Sequence, residues 1–313
     1  MRKCLFCYGP LADNDQDFHS ACSKKIFGQS SLPILPYSEN DIEELAKEVI
    51  QSHTAVTGVQ AKLSLHLPHN SKGGTENRFT LVGLWGGYIL KPPTDLYPQL
   101  PEVEDLTMHL ASAAKIKTVP HSLIRLQSGN LAYITKRIDR TKKGKLAMED
   151  MCQLTERMTE DKYLGSYEQI AKTILKYSNS PGLDVVNFFE LVVFSFITGN
   201  ADMHLKNFSL LEQPALGMTL SPAYDLVNTT LVNPADEEEL ALNLNGKKKK
   251  IKKQDFLIAM STLHLDQKQQ ENIFNKMIKA FPKWMELIDQ SFLSHELKAQ
   301  YQAIVRERFN RIK

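Results

Sequence analysis

Long apolar runs are missing from this chain. No stretch approaches the roughly 20 residues a membrane-spanning helix needs, and the opening "MRKCLFCYGPLADNDQD" lacks a signal-peptide core. The expectation is a cytoplasmic protein with no membrane partner, with export to another cell left open. Cysteine is scarce: four in 313 residues, three of them within the first 22, which argues against a disulfide framework and for a reducing compartment. An excess of one charge is also absent. With 38 Lys+Arg against 36 Asp+Glu the formal net charge is +2, so composition implies neither nucleic acid nor an anionic surface as a partner. What is present is ordinary: 42% hydrophobic and 24% charged side chains, enough for a sizeable core in one large domain or two lobes.

The patterning separates three regions. Residues 1–30 hold a short cysteine and histidine segment, closed by the Pro-bearing connector "SSLPILPYS". Residues 31–140 begin with a short helix in "NDIEELAKEVIQ". They continue as β-rich runs, "AKLSLHL", "RFTLVGLW", "GGYILK", "HSLIRL" and "NLAYITKRI", around one helical stretch, "EVEDLTMHLASAAKI". Residues 141–313 are mostly helical, with three-to-four spacing over 149–177, 183–198, 254–281 and 283–311. Two short strands interrupt the helices: "MTLSPAY", and "LALNLNGKKKKI" as a hairpin turning at Asn245 and Gly246. The fold class read from this is α+β, a small antiparallel sheet lobe followed by a mostly helical lobe.

One segment is chemically dense. The apolar run "FFELVVFSFI" leads through Gly199 into "NADMHLKN", which sets Asp202, His204, Lys206 and Asn207 within six residues. If 183–198 is a buried helix ended by Gly199, these groups converge at a rigid mouth. "LSPAYDLV" then adds a second acid, Asp225, at the expected end of a short strand. An amide and an acid suit a hard cation such as Mg²⁺, which takes oxygen ligands and keeps room for phosphate oxygens. Phosphoryl transfer asks for an acid as base, a lysine against the phosphate, and an Asn and Asp on the metal, and D-x-x-x-x-N is the kinase catalytic-loop spacing. Further forward, "YILKPP" puts Lys91 at a strand end, Glu104 follows on a helix as its ion-pair candidate, and Gly58 sits in a loop where backbone can approach phosphates. Each residue alone has a plainer explanation, as a loop hydrogen bonder or a solvated charge. Their joint order along the chain favours the site.

Together "TGVQAKLSL", "YILKPP", "PEVEDLTMHLA", "TKRIDR", "MEDMCQL", "GNADMHLKNFSLL" and "LSPAYDLV" resemble the HipA-like serine/threonine kinases of bacterial toxin–antitoxin systems. The resemblance implies a two-lobed kinase-like fold using ATP and Mg²⁺. It implies Asp202 as catalytic base with His204 and Lys206 near the phosphates, and Asn207 and Asp225 as Mg²⁺ ligands. Lys91 would be the phosphate lysine paired to Glu104, Thr57, Gly58, Val59, Gln60 and Lys62 would belong to the phosphate loop, Lys136, Arg137 and Ile138 to the adenine hinge, and Tyr224 to the nucleotide site. Only about 50 residues precede the phosphate loop, which resembles the short HipT form of three-component systems. That form implies a HipS-like small protein and a HipB-like DNA-binding antitoxin as partners, with an aminoacyl-tRNA synthetase as substrate. The family often autophosphorylates a phosphate-loop serine. Ala55 stands at the expected place here, leaving Thr57, Thr54 or Ser52 as acceptors. The alternative is an inactive kinase fold serving as a binding module in a repressor or nucleic-acid complex, against which the intact polar set argues.

Two features lie outside that reading. Cys4, Cys7, His19 and Cys22 form C-x2-C-x11-H-x2-C, a spacing that fits a closed tetrahedral Zn²⁺ site in a piece too small to fold on its own core. The alternative is reduced thiols beside an unrelated histidine. The lysine run 247–253 has no interleaved aromatics and reads as a solvated edge, so no direct nucleic-acid binding is expected.

Overall fold

The computed structural model describes residues 2–52, 62–68, 77–82, 86–141 and 143–313, side chains 46–52 excepted. The chain forms two compact units, one of Met1–Asp105 with Val119–Ile138, the other of Leu106–Thr118 with Asp139–Lys313. Residues 1–30, read from sequence as an appended module, are part of the first unit.

In the first unit α1 (Ser20–Phe27) and α2 (Glu39–Ser52) precede a five-stranded sheet of β1 (Leu63–His66), β2 (Thr80–Leu81), β3 (Tyr88–Lys91), β4 (His121–Arg125) and β5 (Leu131–Lys136). The strand order is β2-β1-β3-β5-β4, every pair antiparallel. Alternation sets the faces: Leu63 and Leu65 of β1 and Tyr88 and Leu90 of β3 are buried. Register carries this across the sheet, with Leu63 opposite Leu90 and Leu90 opposite Ile134. β3 can enter because Gly86 has no side chain. A Cβ there would lie 2.5 Å from the Leu65 carbonyl oxygen. Helix α3 (Leu100–Ala113) follows β3.

The second unit takes in α3 from Leu106 onward and resumes with the hairpin β6 (Arg140–Thr141) and β7 (Gly144–Lys145), then β8 (Met148–Asp150) and α4 (Met151–Leu154). After a 3-10 turn at Thr159–Asp161 come α5 (Tyr167–Tyr177) and α6 (Pro181–Ile197). Strands β9 (Ser209–Gln213) and β10 (Gly217–Leu220) form a sheet with β8, and α7 (Thr229–Val232), α8 (Lys253–Thr262), α9 (Gln267–Gln290) and α10 (His295–Ile312) complete the unit. Helix α6 starts on Pro181, the position where a missing N–H costs nothing. From Leu191 to Ile197 it is buried on every side, and α5, α9 and α10 pack around the helix. Phe194 meets Trp284 of α9 edge-on at 5.7 Å, Phe196 meets Phe256 of α8 at 5.5 Å, and Phe188 meets Phe208 at 5.1 Å.

Three expectations need correction. Residues 149–177 are not one helix: Glu156 and Gly165 take left-handed backbone, and a Ser166–Gln169 capping box starts α5 afresh. The break between the last long helices does not fall at residue 282. His264 at φ 63 ends the helix before it, an Asp266–Gln269 capping box starts α9, and α9 runs through Pro282 to Gln290. In 240–251 the turn forms, with Asn245 at φ 49 and Gly246 at φ 74, but only a single bridge, Leu244 to Lys247, joins its arms. Beyond it the arms are joined by Glu239 N to Lys248 O at 3.0 Å and by the ion pairs of Lys248 with Glu238 at 3.2 Å and Lys249 with Glu237 at 2.9 Å, while Lys247 pairs with Asp255 of α8 at 2.7 Å.

Helix α6 ends in a Schellman motif, Gly199 N donating to Phe196 O at 3.2 Å and Asn200 N to Ser195 O at 2.8 Å. Gly199 sits at φ +73, and a Cβ there would lie 2.5 Å from Asn228 Oδ1. Gly199→Ala is therefore expected to cost at least about 1–2 kcal/mol for the left-handed backbone alone, with more from displacing Asn228. Urea unfolding of the variant checks this, and a loss below about 0.5 kcal/mol, the range of an ordinary surface change, would contradict it.

Candidate active site

In the first unit β3 delivers Lys91 and α3 delivers Glu104. Lys91 Nζ donates to Glu104 Oε1 at 2.6 Å, with the two side chains 6% and 1% exposed. The ammonium lies 5.4 Å from the centroid of the Tyr133 ring, which stands opposite Lys91 in the β3–β5 register. Lys136 closes β5, and Arg137 N donates to Gly87 O at 2.8 Å. The chain leaves the first unit after Ile138. Lys62 is exposed, just ahead of β1. Thr54, Thr57, Gly58, Val59 and Gln60 lie outside the described residues, and Ser52 is the last residue of α2.

The second unit brings the remaining polar residues together at the exit of α6. Gly199 O accepts from Thr229 Oγ1 at 3.2 Å and Thr230 Oγ1 at 3.0 Å, while Ala201 N donates to Thr229 Oγ1 at 2.8 Å. These bonds tie the loop to α7. Asn207 is buried, and its Nδ2 donates to the Asp202 carbonyl at 2.9 Å. That fixes the amide, whose Oδ1 is an oxygen donor that could hold a hard cation. The short turn between them closes through His204 N to Asp202 O at 2.9 Å and Asn207 N to His204 O at 3.0 Å. Asp225 is not at a strand end, as the sequence had suggested, because β10 stops at Leu220. It holds a left-handed φ of 59 in the irregular chain beyond.

Two further residues complete the cluster. The Tyr163 hydroxyl donates to Asp202 Oδ1 at 2.6 Å, and its ring meets His204 edge-on at 5.0 Å. Burial first, and then this bond to a carboxylate, push the phenol above the ordinary tyrosine range. It therefore stays a donor. Lys206 Nζ donates to Asp150 Oδ2 at 2.8 Å, while Asp150 Oδ1 accepts from Gln153 N at 2.9 Å to cap α4. Tyr224 is bound on both sides of its oxygen: it donates to Lys206 O at 3.0 Å and accepts from Ser209 Oγ at 2.5 Å. In this structure Tyr224 fastens Lys206 to β9. Burial of His204 lowers its pKa from the usual imidazole value, more strongly than the carboxylates of Asp202 and Asp225 raise it.

Sequence reasoning missed Tyr163 and Asp150. Tyr163 lies 39 residues before Asp202, with no local pattern to join them. Asp150 did carry a signal, the D-x-x-Q capping box of "DMCQ".

With this geometry in view, residues 54–285 match the family described as HipA-like C-terminal domain, and the chain belongs to that family. A Sinorhizobium fredii protein named "Putative kinase Y4dM" is 34% identical over 207 residues, 62% of this chain and 49% of the relative. A Haemophilus influenzae protein named "Putative kinase" is 28% identical over 251 residues, 74% of this chain and 69% of the relative. The chain thus spans about half the length of the first of these. Among solved structures, the HipA toxin of Shewanella oneidensis, in complex with HipB and operator DNA, aligns with a TM-score of 0.67 at 22% identity, covering 85% of this chain and 70% of HipA. The Helicobacter pylori proinflammatory kinase CtkA aligns at 0.56 and 17% identity, covering 79% of this chain and 93% of CtkA. The chain has their kinase-like α+β fold.

The Lys206 anchor separates two energies. Asp150→Ala removes both the α4 cap and the ion pair, and is expected to cost about 1–2 kcal/mol, mostly from the cap. Asp150→Asn keeps an acceptor at the cap and is expected to cost under about 1 kcal/mol, the usual range of a partly exposed pair. Chemical denaturation of the two variants side by side checks the order; equal losses would show that the ion pair dominates.

Proposed function

We propose that this chain is an ATP- and Mg²⁺-dependent serine/threonine protein kinase, a HipA-like toxin of the short HipT type. The observation that carries the reading is the locking of Asn207 to the Asp202 carbonyl at 2.9 Å; the carboxylates of Asp202 and Asp225 both act on His204 in the same loop. Tyr163 holds Oδ1 of Asp202. Oδ2 then remains to accept the proton of a substrate hydroxyl, which raises that oxygen's nucleophilicity during transfer. Asn207 Oδ1 and the Asp225 carboxylate are hard oxygen donors and fit a hard cation. Mg²⁺ held by these two residues would supply positive charge to offset that of the phosphates. Lys91, held by Glu104, supplies a fixed ammonium for phosphate oxygens. In the second unit, Lys206 is a cation kept in place by Asp150 and Tyr224.

The substrate we propose is an aminoacyl-tRNA synthetase, phosphorylated so that translation stops in the cytoplasm. Autophosphorylation at Ser52, Thr54 or Thr57 would regulate the kinase. The partners would be a HipS-like small protein and a HipB-like DNA-binding antitoxin. The HipA neighbour bound to HipB and operator DNA supports the second of these.

Purified protein incubated with γ-labelled ATP, Mg²⁺ and a bacterial lysate tests the reading, with labelled proteins identified by mass spectrometry. Asp202→Asn is expected to lower transfer by about 10²–10⁴-fold, the usual contribution of a positioned base, with ATP binding kept. Asp225→Asn is expected to weaken Mg²⁺-ATP binding itself. Wild-type transfer by Asp202→Asn would overturn the base assignment. Bound ATP with no labelled protein would favour the inactive binding module.

A further inference from the structure

The first unit carries a second cluster that the kinase reading does not use. The Sγ atoms of Cys4, Cys7 and Cys22 and a ring nitrogen of His19 all lie within 4.8 Å of one another. Cys4 and Cys7 flank a tight knuckle closed by Tyr8 N to Cys4 O at 2.9 Å and Cys4 N to Gly9 O at 2.8 Å. His19 caps α1 and Cys22 lies in its first turn. His19 Nδ1 stands 3.5 Å from Cys7 Sγ and 3.7 Å from Cys22 Sγ. A tetrahedral Zn²⁺ with Zn–S near 2.3 Å and Zn–N near 2.0 Å requires ligand-to-ligand edges of about 3.5–3.8 Å. The spacing fits. The other ring nitrogen, Nε2, lies 2.9 Å from the Pro10 carbonyl, which can only accept. Nε2 therefore carries the proton and the Nδ1 lone pair points at the thiols, the outer contact by which a ligating histidine is oriented.

We propose that Cys4, Cys7, His19 and Cys22 bind a structural Zn²⁺, and that this ion holds the knuckle as a brace for the turn of α3 that presents Glu104. The bracing contacts are specific. Leu5 O accepts from Leu123 N at 3.4 Å and Ser122 Oγ at 3.1 Å, which covers the free edge of β4. The Tyr8 hydroxyl donates to Asp105 Oδ2 at 2.8 Å, and Asp105 Oδ1 meets His121 Nδ1 of β4 at 2.7 Å. Asp105 is the neighbour of Glu104, so the knuckle, the edge strand and the Lys91 partner share one buried junction. Residues 2–19 contain no helix or strand of more than a single bridge. A metal cross-link is what gives so short a piece a fixed shape. This inference does not depend on kinase activity.

The test uses the full wild-type chain. Elemental analysis after extensive dialysis is expected to give one equivalent of zinc. Cys7 is exposed, so a free thiol there would react at once with a thiol reagent. Bound to zinc it is expected to react at least roughly tenfold more slowly until a strong chelator is added, because coordination ties up the thiolate. Replacement with Co²⁺ is expected to produce the thiolate-to-cobalt absorption of a tetrahedral site. Tyr8→Phe is expected to keep the zinc while lowering the melting temperature, which separates bracing from binding. Absence of stoichiometric metal with immediate reaction of Cys7 would overturn the site. A Tyr8→Phe protein with full zinc and unchanged melting would overturn the brace.

Discussion

The position of one helix end governs the second unit. The last two turns of helix α6 are buried on every side, and Phe188, Phe189, Phe194 and Phe196 are fully buried. Each such side chain contributes about 1.5–3 kcal/mol by leaving water, whereas a single loop hydrogen bond contributes about 1 kcal/mol net. Packing therefore decides where α6 ends, and the polar loop adapts. The Schellman closure at Gly199 and the threonines of α7 satisfy the backbone groups that the exit exposes. Asp202 and Asn207 inherit a fixed origin from the core, as electrostatic catalysis by preorganised groups requires.

The first unit is built around a costlier contact. Burying an ammonium and a carboxylate costs on the order of several kcal/mol per ion, and their attraction only roughly offsets it. A pair as enclosed as Lys91 and Glu104 is thus poorly explained by stability. An aliphatic pair of the same volume would hold β3 to α3 as well. What the ions add is a lysine whose charge is held at one place, at the end of a strand. Lys248 and Lys249 are the opposite case: their partners Glu238 and Glu237 and the lysines themselves are partly or largely exposed. Such pairs contribute little energy each, but they offset a charge that looks concentrated when only the sequence is read.

Periodicity made the strands and α6 legible, because alternation and an all-apolar run have few structural solutions. It also placed Lys91 at a strand end and Asp202 to Asn207 at a helix exit. The boundaries 149–177 and 254–311 were misjudged because apolar spacing persists across breaks made by backbone. Left-handed residues such as Glu156 and His264, which are not glycine, carry no compositional signal. The conformation of Asp225 was hidden for the same reason. Tyr163 was illegible because its bond to Asp202 is purely tertiary, whereas the Asp150 cap was written locally and was passed over. Of the proposed phosphate loop, 57–62, residues 57–61 lie outside the described residues.

The electrostatics of the α6 exit point the same way as its geometry. An imidazole between two carboxylates would ordinarily take up a proton and neutralise one of them. Burial of His204 outweighs both Asp202 and Asp225, and Lys162 adds to the effect, so the ring is driven toward its neutral form. Lys206, the other cation of the segment, is held by Asp150. The His204 ring packs edge-on against Tyr163, its centroid 5.0 Å away, as a neutral group does. In the proposed reading a hard cation would be held by the Asp225 carboxylate and by Asn207 Oδ1, a neutral oxygen donor that adds no charge.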